Sequence, residues 1–183
     1  MKTIVPLERR FSPWRADPGF SLDWRADRDA LDWESLLKIH RVVVLAEAGS
    51  GKSTELERAE SRLRQDGRVV FRATVQDLGG GLRAALLPAA SRDFDAWRAG
   101  DQPAWFLIDA ADEGPLANIH LPTATRAIAH AIDGAEHRAY IVVTSRYSDW
   151  DGVEDLATFE AALPFAEEAL PPPPTLDDLL AGC

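Results

Sequence analysis

The sequence contains one cysteine, Cys183, and it is the last residue. A single cysteine cannot form a disulfide within the chain or contribute to a cluster of metal-binding thiolates. The four histidines also lack the spacing of a metal site, and we expect them at the surface or as helix caps: His40, His120, His130 and His137. These shortages exclude a disulfide-stabilised scaffold and a zinc module, and they favour a reducing compartment.

Positive charge and long apolar runs are scarce as well. The chain carries 20 Lys and Arg residues against 30 Asp and Glu, a formal net charge of −10 at pH 7. An acidic surface repels the phosphodiester backbone, so we expect no general binding to nucleic acids. No apolar run reaches the ~18 residues that span a bilayer, and the N-terminal residues become charged too early for a signal peptide. We therefore expect a soluble, cytoplasmic protein without a membrane span.

The sequence does contain a regular alternation of strand and helix patterns. Apolar runs rich in β-branched and aromatic residues predict strands at 41–46, 68–73, 104–110 and 139–145, with a weak fifth strand within 156–165. Apolar residues at helical spacing predict helices over 32–40, 52–65, 82–98 and 122–133. Strands separated by helices indicate βαβ units and therefore an α/β fold, a three-layer sandwich around a mainly parallel sheet of about five strands.

Two of these segments carry more detailed expectations. The continuous apolar run at 41–46 predicts a strand that is buried on both faces of the sheet. Within 82–98, the spacing predicts one buried helix face, formed by Leu87, Ala90, Phe94 and Trp97.

The stretch "AEAGSGKST" directly follows the first predicted strand. With Ala46 in place of the first glycine, it fits the P-loop pattern G-x4-G-K-[ST]. Gly49 and Gly51 allow the chain to curl, so that backbone N–H groups and the start of the next helix point at phosphate oxygens. We expect Lys52 to reach the β- and γ-phosphates and Ser53 to complete a Mg²⁺ shell. The predicted nucleotide-binding residues are Ala46, Glu47, Ala48, Gly49, Ser50, Gly51, Lys52, Ser53 and, as an α-phosphate contact, Thr54.

An acidic segment, "FLIDAADE", closes the third predicted strand. Asp109 stands where P-loop proteins place the Walker B carboxylate that holds Mg²⁺, and the small Ala110 leaves room beside the metal. Asp112 and Glu113 lie just beyond, where either carboxylate would polarise an attacking water. The alternative for these two residues is a solvated acidic loop, although neighbouring carboxylates repel one another unless a cation is near.

The fourth predicted strand ends in "IVVTSRYSD". Thr144 lies at its carboxyl end, the edge where ligands bind in open α/β sheets, and we expect it to orient a water molecule. Arg146, two residues on, is predicted to reach the γ-phosphate and so to report its presence. The alternative for Arg146 is an ordinary surface charge.

Taken together, "AEAGSGKST", "FLIDAADE" and "VVTSR" resemble the NACHT family of P-loop NTPases, within the STAND class of signalling ATPases. That family has a small residue after the Walker B Asp and two acidic residues shortly beyond, which Ala110, Asp112 and Glu113 match. Its fourth core strand commonly ends in Thr-Ser-Arg, as residues 144–146 do here. The resemblance covers residues 33–165 and implies the P-loop NTPase fold.

The resemblance also implies a molecular switch, which ADP holds closed and which ATP and a trigger open. Its cofactors would be Mg²⁺ and ATP or ADP, and the activated full-length protein would be a homo-oligomer. Bacterial relatives often act in anti-phage defence. The helical and winged-helix modules that cover the nucleotide in the family have no counterpart here. We therefore expect slow ATP hydrolysis by the full-length protein rather than by this chain alone.

On this interpretation the chain divides into three parts. Residues 1–32 are expected to form an irregular extension that packs on the core, and residues 33–165 form the P-loop NTPase domain. In residues 166–183 a run of prolines makes a stiff spacer, and Thr175 with Asp178 resembles a capping box that opens a helix. Because the sequence stops within two turns of that helix, we expect it to be part of a longer protein.

Two other functions are compatible with the same motifs. One is a small-molecule kinase, although such kinases usually carry an arginine-rich lid and no arginine follows Arg146. The other is a nucleotide-binding or docking module without hydrolysis, although no motif position is missing. Nucleotide affinity separates a docking module from the other functions, and phosphate transfer to an acceptor other than water identifies a kinase.

Overall fold

A parallel β-sheet forms the centre of the fold. The computed structural model describes residues 10–11, 30–109 and 121–164. Its strands are β1 (Arg41–Leu45), β2 (Val69–Thr74), β3 (Ala104–Asp109) and β4 (Ala139–Ser145), in the sheet order β1-β4-β3-β2. Every neighbouring pair is parallel, which confirms the predicted α/β class. The carboxyl ends of all four strands therefore lie at one edge of the sheet.

Six α-helices accompany these strands in the described part of the chain. They are α1 (Trp33–Leu36), α2 (Lys52–Gln65), α3 (Leu82–Ala85), α4 (Pro88–Ala99), α5 (Leu121–Ile132) and α6 (Glu154–Ala162). Short 3-10 turns lie at Gln76–Gly80, Glu136–Arg138 and Tyr147–Asp149. The helices pack on both faces of the sheet, so the sheet is the middle layer of three.

One face of the sheet is covered by α1 and α2. The buried α2 residues on this face, at helical spacing, are Leu56, Ala59 and Leu63. Leu107 of β3 and Val142 of β4 belong to the same apolar cluster. Because side chains alternate along a strand, Asp109 and Thr144, each two residues further on, face the α2 side as well.

The opposite face is closed by α5 and by an aromatic cluster. The ring of Phe106 lies 5.2 Å from that of Phe71 and 5.2 Å from that of Trp97, measured between centroids. Phe94 contacts the same group from α4. Such edge and tilted ring contacts add to the burial of apolar surface. With helices on both sides, β3 is buried at every position, as its continuous apolar run predicts.

The predicted helix over 82–98 is in fact two helices, α3 and α4. Leu87 between them is extended, with φ −59° and ψ 155°, because Pro88 disfavours a helical conformation in the residue before it. Pro88 itself suits the first turn of α4, where its missing N–H costs nothing. The prediction that Leu87 is buried is wrong, since it is 78% exposed, whereas Phe94 and Trp97 are buried as predicted.

The weak fifth strand expected within 156–165 is also wrong, because α6 occupies most of that segment. Asp151 Oδ1 accepts hydrogen bonds from the backbone N–H groups of Val153 and Glu154, both at 2.9 Å, and these bonds start the helix. The same bonds hold the pKa of the Asp151 carboxyl below its usual range. Alanine and glutamate in "EDLATFEAA" favour a helix over a strand.

The first strand is less buried than its sequence predicts. Val42 and Val44 are buried against the α2 side, but the alternate positions Arg41, Val43 and Leu45 are only half-buried. The reason is that β1 lies at the edge of the described sheet, with β4 as its one neighbouring strand. The expectation of burial on both faces is therefore wrong for β1.

Trp105 of β3 forms a hydrogen bond that links the end of α1 to the sheet. Its indole N–H donates to the carbonyl oxygen of Leu37 at 2.8 Å in a buried position, and its ring stacks on Tyr140 at 4.8 Å. Trp105→Phe keeps an aromatic ring but removes this donor. We expect the free energy of unfolding to fall by about 1–2 kcal/mol, because a buried carbonyl loses its hydrogen bond. Urea denaturation measures the change.

Trp97→Phe is the matched control for this prediction. The indole of Trp97 donates to the carbonyl oxygen of Gln102 at 2.8 Å, but the same oxygen also accepts a hydrogen bond from Arg138 at 3.1 Å. Gln102 therefore keeps a donor in the control variant, and the stability loss should be smaller. A control loss as large as that of Trp105→Phe would contradict the importance assigned to the α1 hydrogen bond.

Candidate phosphate-binding site

Three of the predicted motifs meet at the carboxyl edge of the sheet. The β1–α2 loop, residues 46–51, follows β1, Asp109 ends β3, and Thr144 lies next to the end of β4. Because β4 lies between β1 and β3, Thr144 pairs with Val44 on one side and with Asp109 on the other. The sheet order thus brings the loop and the Walker B candidate to either side of Thr144.

Two glycines with a left-handed backbone shape the β1–α2 loop. Gly49 has φ 72° and Gly51 has φ 86°, a region that residues with a side chain rarely adopt. Helix α2 begins directly after Gly51, so the first N–H groups of α2 have no acceptor within the helix. A curled loop that leads into a helix N-terminus is a backbone arrangement that binds phosphate.

Lys52 is buried within this loop. It is 6% exposed, and its Nζ donates hydrogen bonds to the carbonyl oxygens of Ala46 at 2.6 Å and Glu47 at 2.8 Å. Burial lowers the pKa of Lys52 below its usual range, and the positive charge of Arg146 lowers it further, against the opposite effect of Asp109. A buried ammonium group beside a second cation at a helix N-terminus creates a favourable position for an anion.

Asp109 and Thr144 form a buried pair. Asp109 is 7% exposed and Thr144 is fully buried. The Thr144 hydroxyl donates to Asp109 Oδ1 at 2.9 Å. Because a hydroxyl can donate and accept at once, Thr144 fixes the carboxylate while its own oxygen can still accept a hydrogen bond.

The residues predicted to hold Mg²⁺ offer donors of the right chemistry. Ser53 is half-buried in the first turn of α2, and Asp109 supplies a carboxylate. Mg²⁺ requires oxygen ligands and is usually held by one or two protein groups together with phosphate and water. Among the residues that the structure describes, no three His, Cys, Asp or Glu side chains form a metal-binding group. The donor set therefore fits Mg²⁺ when a bound phosphate and water supply the other ligands.

Arg146 lies close to the β1–α2 loop. Its side chain is 30% exposed, and its Nε is 3.9 Å from Oδ2 of Asp149 in the turn that follows. Its charge is near enough to Lys52 to lower the pKa of that residue. The backbone before Arg146 lies next to the loop, because the Ala46 N–H donates to the carbonyl oxygen of Ser145 at 3.2 Å. The sequence analysis did not single out Asp149, which lies near this guanidinium group.

Arg72 of β2 is another residue that the sequence analysis missed. Its Nη2 lies 4.0 Å from Oδ2 of Asp109, and its Nη1 lies 3.3 Å from Oε1 of Glu57 in α2. The sequence feature that indicates Arg72 is the presence of an arginine within the largely apolar strand "VVFRAT". A charged residue in a packed layer requires a charged partner, and here the partners are carboxylates.

Part of the predicted site lies outside the described residues. Asp112 and Glu113, the candidates for polarising water, fall there together with Ala110, and their roles stay predictions. The other loop residues are placed by the structure: Glu47, Ala48, Gly49 and Thr54 are exposed, and Ala46, Ser50, Gly51 and Ser53 are half-buried.

Thr144→Val tests the buried pair, because valine keeps the shape of threonine but cannot donate to Asp109. We expect the free energy of unfolding to fall by about 1–3 kcal/mol, since a buried carboxylate loses a hydrogen bond. Urea denaturation at pH 7 measures this. Thr125→Val is the matched control, because Thr125 is equally buried but donates to a neutral carbonyl, that of Leu121. Equal losses in the two variants would contradict a special role for the carboxylate.

The β1–α2 loop, the Asp109–Thr144 pair and Arg146 thus form one candidate site at the sheet edge. No helix in the described ranges is both long enough and apolar enough to cross a membrane. Comparison of the chain with protein-family models, with curated proteins and with solved structures gives no match.

Proposed function

We propose that this chain is the ATP-binding switch module of a NACHT-type signalling NTPase of the STAND class. The observation that carries the proposal is the buried ammonium group of Lys52, held in the β1–α2 loop close to Arg146. Buried lysines are rare in proteins unless an opposite charge completes their environment. A phosphate is the anion that a curled glycine loop at a helix N-terminus accommodates best.

Each residue has a distinct role in the proposed nucleotide site. Lys52 and the loop N–H groups bind the phosphates, and Thr54 contacts the α-phosphate. Ser53 and Asp109 hold Mg²⁺, which when bound neutralises charge on the phosphate oxygens. Arg146 contacts the γ-phosphate, so its contacts differ between ATP and ADP. These roles are supported by the convergence of the loop, β3 and β4 at one edge of the sheet.

Hydrolysis additionally requires a positioned water molecule. We propose that Thr144, whose hydroxyl donates to Asp109, helps to orient this water by fixing the Asp109 carboxylate. Asp112 or Glu113 polarises the water as general base. Attack of this water on the γ-phosphorus then breaks the bond to the β–γ bridging oxygen and gives ADP and inorganic phosphate. We propose that this step is slow and takes place in the full-length protein.

The proposal extends to the setting of the protein. Residues 33–165 would be a P-loop NTPase domain of a cytoplasmic protein that ADP keeps closed and ATP opens into a homo-oligomer. We include a role in bacterial anti-phage defence, because the three motifs resemble those of the NACHT family, whose bacterial members often act in such defence. The net charge of −10 disfavours a nucleic acid as the phosphate-bearing partner.

Calorimetric titration with ADP and with a non-hydrolysable ATP analogue, both with Mg²⁺, tests the proposal. We expect dissociation constants on the order of micromolar, with ADP bound more tightly, because ADP holds the resting switch. A folded chain that binds neither nucleotide would contradict the proposal and favour a docking module. Transfer of phosphate to an acceptor other than water would instead identify a kinase.

A further inference from the structure

Arg72 connects the α2 helix to the edge of the sheet. It lies in β2 with its side chain on the α2 face, and 27% of that side chain is exposed. Its Nη1 lies 3.3 Å from Oε1 of Glu57 and 3.7 Å from Oε2 of Glu60, both on α2. Its Nη2 lies 4.0 Å from Oδ2 of Asp109. One guanidinium group is therefore shared between three carboxylates on two elements.

The three carboxylates differ in their surroundings. Asp109 is buried, whereas the side chain of Glu57 is 59% exposed and that of Glu60 is 21% exposed. The planar guanidinium presents several N–H donors at once, so Arg72 can tighten its contact with one side while loosening it with the other. A small movement of this side chain thus changes how much positive charge faces Asp109.

A divalent cation at Asp109 would compete with Arg72. Like charges repel strongly where water is excluded, and Oδ1 of Asp109 is already engaged by Thr144. The oxygen nearest to Arg72 is Oδ2. When an ion approaches Asp109, Arg72 has acceptors ready on α2, because Glu57 already accepts a hydrogen bond from its Nη2 at 3.3 Å.

We propose that Arg72 is a positioning residue, which supplies positive charge to Asp109 in the metal-free site and shifts toward Glu57 and Glu60 when Mg²⁺ binds with nucleotide. The inference rests on the proposed function, since it assumes that Asp109 belongs to a Mg²⁺–nucleotide site. It adds a form of regulation. In the metal-free site Arg72 supplies positive charge that Mg²⁺ would otherwise bring, so nucleotide binding depends more weakly on Mg²⁺ at low concentrations of the ion. Arg72 also transmits the state of Asp109 to α2, whose first residue is Lys52.

Two substitutions at opposite ends of this network should act in opposite directions. Arg72→Met removes the competing charge, so the Mg²⁺ concentration at half-saturation should fall by roughly five- to tenfold. Glu57→Gln removes a carboxylate that would receive the displaced arginine, so the same concentration should rise by about two- to threefold. The measurement is a Mg²⁺ titration of the whole chain with a fixed concentration of a fluorescent ADP analogue, and the readout is binding rather than hydrolysis.

Arg83→Met is the matched control. Arg83 pairs with Asp95 in an exposed surface contact, and no ion pair in the described residues links it to Asp109 or to α2, so this variant loses the same charge without changing the Arg72 network. The Mg²⁺ concentration at half-saturation of this variant should equal that of the unchanged chain. If Arg72→Met does not fold, two other variants test the role of Arg72. They are Arg72→Lys, which keeps the charge but loses the planar fork, and the surface variant Glu57→Gln.

Opposite shifts in Arg72→Met and Glu57→Gln support the inference when Glu57→Gln has no further effect in the Arg72→Met background, because Glu57 then acts through Arg72 and not through its own charge. A Glu57→Gln shift of the same size in both backgrounds would overturn the inference. Unchanged Mg²⁺ dependence, or shifts of the same sign, would overturn it while the unchanged chain still binds the analogue. If only Glu57→Gln and Arg72→Lys fold, the inference is supported when the Mg²⁺ concentration at half-saturation rises in Glu57→Gln and stays close to that of the unchanged chain in Arg72→Lys. An unchanged Mg²⁺ concentration at half-saturation in Glu57→Gln would overturn it. A chain that binds no analogue at any Mg²⁺ concentration contradicts the proposed function itself, and the inference fails with it.

Discussion

Lys52→Ala is expected to weaken the binding of ADP and of a non-hydrolysable ATP analogue by about a hundredfold or more. The ammonium group is held inside the β1–α2 loop by the carbonyl oxygens of Ala46 and Glu47, so it is already positioned before a ligand arrives. Phosphate oxygens would accept charge-assisted hydrogen bonds from it, each worth about 1.5–3 kcal/mol. Calorimetry in the presence of Mg²⁺ measures the loss.

Lys38→Ala is the control for this substitution. Lys38 carries the same charge, but its side chain is 72% exposed and pairs with Glu34 across one turn at 3.2 Å. Such surface pairs contribute little, so both stability and nucleotide affinity should stay close to those of the unchanged chain. Circular dichroism of each variant shows whether the fold is retained. A Lys52→Ala variant that is folded and binds ADP within threefold of the unchanged chain would contradict a phosphate role for Lys52.

Asp109→Asn should remove most of the gain in nucleotide affinity that Mg²⁺ provides, a loss of about ten- to a hundredfold in Mg²⁺-dependent binding. Asparagine keeps an oxygen that can accept the hydrogen bond from Thr144, so the buried pair and the fold are retained. What is lost is the negative charge that attracts the cation and balances Arg72. The measurement compares ADP affinity with Mg²⁺ and with a chelator.

Asp77→Asn provides the matched control at the same edge of the sheet. Asp77 follows β2 and its Oδ2 accepts a hydrogen bond from the Thr74 hydroxyl at 2.6 Å, which gives it a role in the turn. It is exposed, and no contact in the described structure links it to the β1–α2 loop. The Mg²⁺ effect should therefore persist in Asp77→Asn. If Asp109→Asn retained the full Mg²⁺ effect, the Walker B assignment would be contradicted.

The parts of the site that the sequence predicts are those with local signals. Gly49 and Gly51 adopt the left-handed backbone that a glycine-rich loop requires, and Lys52 begins α2 where the pattern places it. Asp109 is the last residue of β3, and all six positions of that strand are buried, as its continuous apolar run predicts. Each of these features depends on neighbours within a few residues, so the chain alone specifies them.

The features that the sequence does not predict depend on tertiary contacts or on competing local effects. Arg72 gains its significance only because β2 and β3 pair in a register that places it near Asp109. The helix break at Leu87 results from Pro88, whose effect on the preceding residue outweighs the helical spacing. In the segment of α6, the bonds that Asp151 accepts and the alanine content outweigh a short apolar run.

The most direct test of the central claim is to locate bound nucleotide by NMR. In a ¹⁵N-labelled chain titrated with ADP and Mg²⁺, we predict that the largest shifts occur at the backbone N–H groups of Gly49, Gly51, Lys52 and Ser53. Phosphate oxygens would accept hydrogen bonds from these groups, and their resonances respond directly to such bonds. Shifts confined to another surface, or no shifts in a folded chain, would contradict the assignment of the β1–α2 loop as the phosphate site.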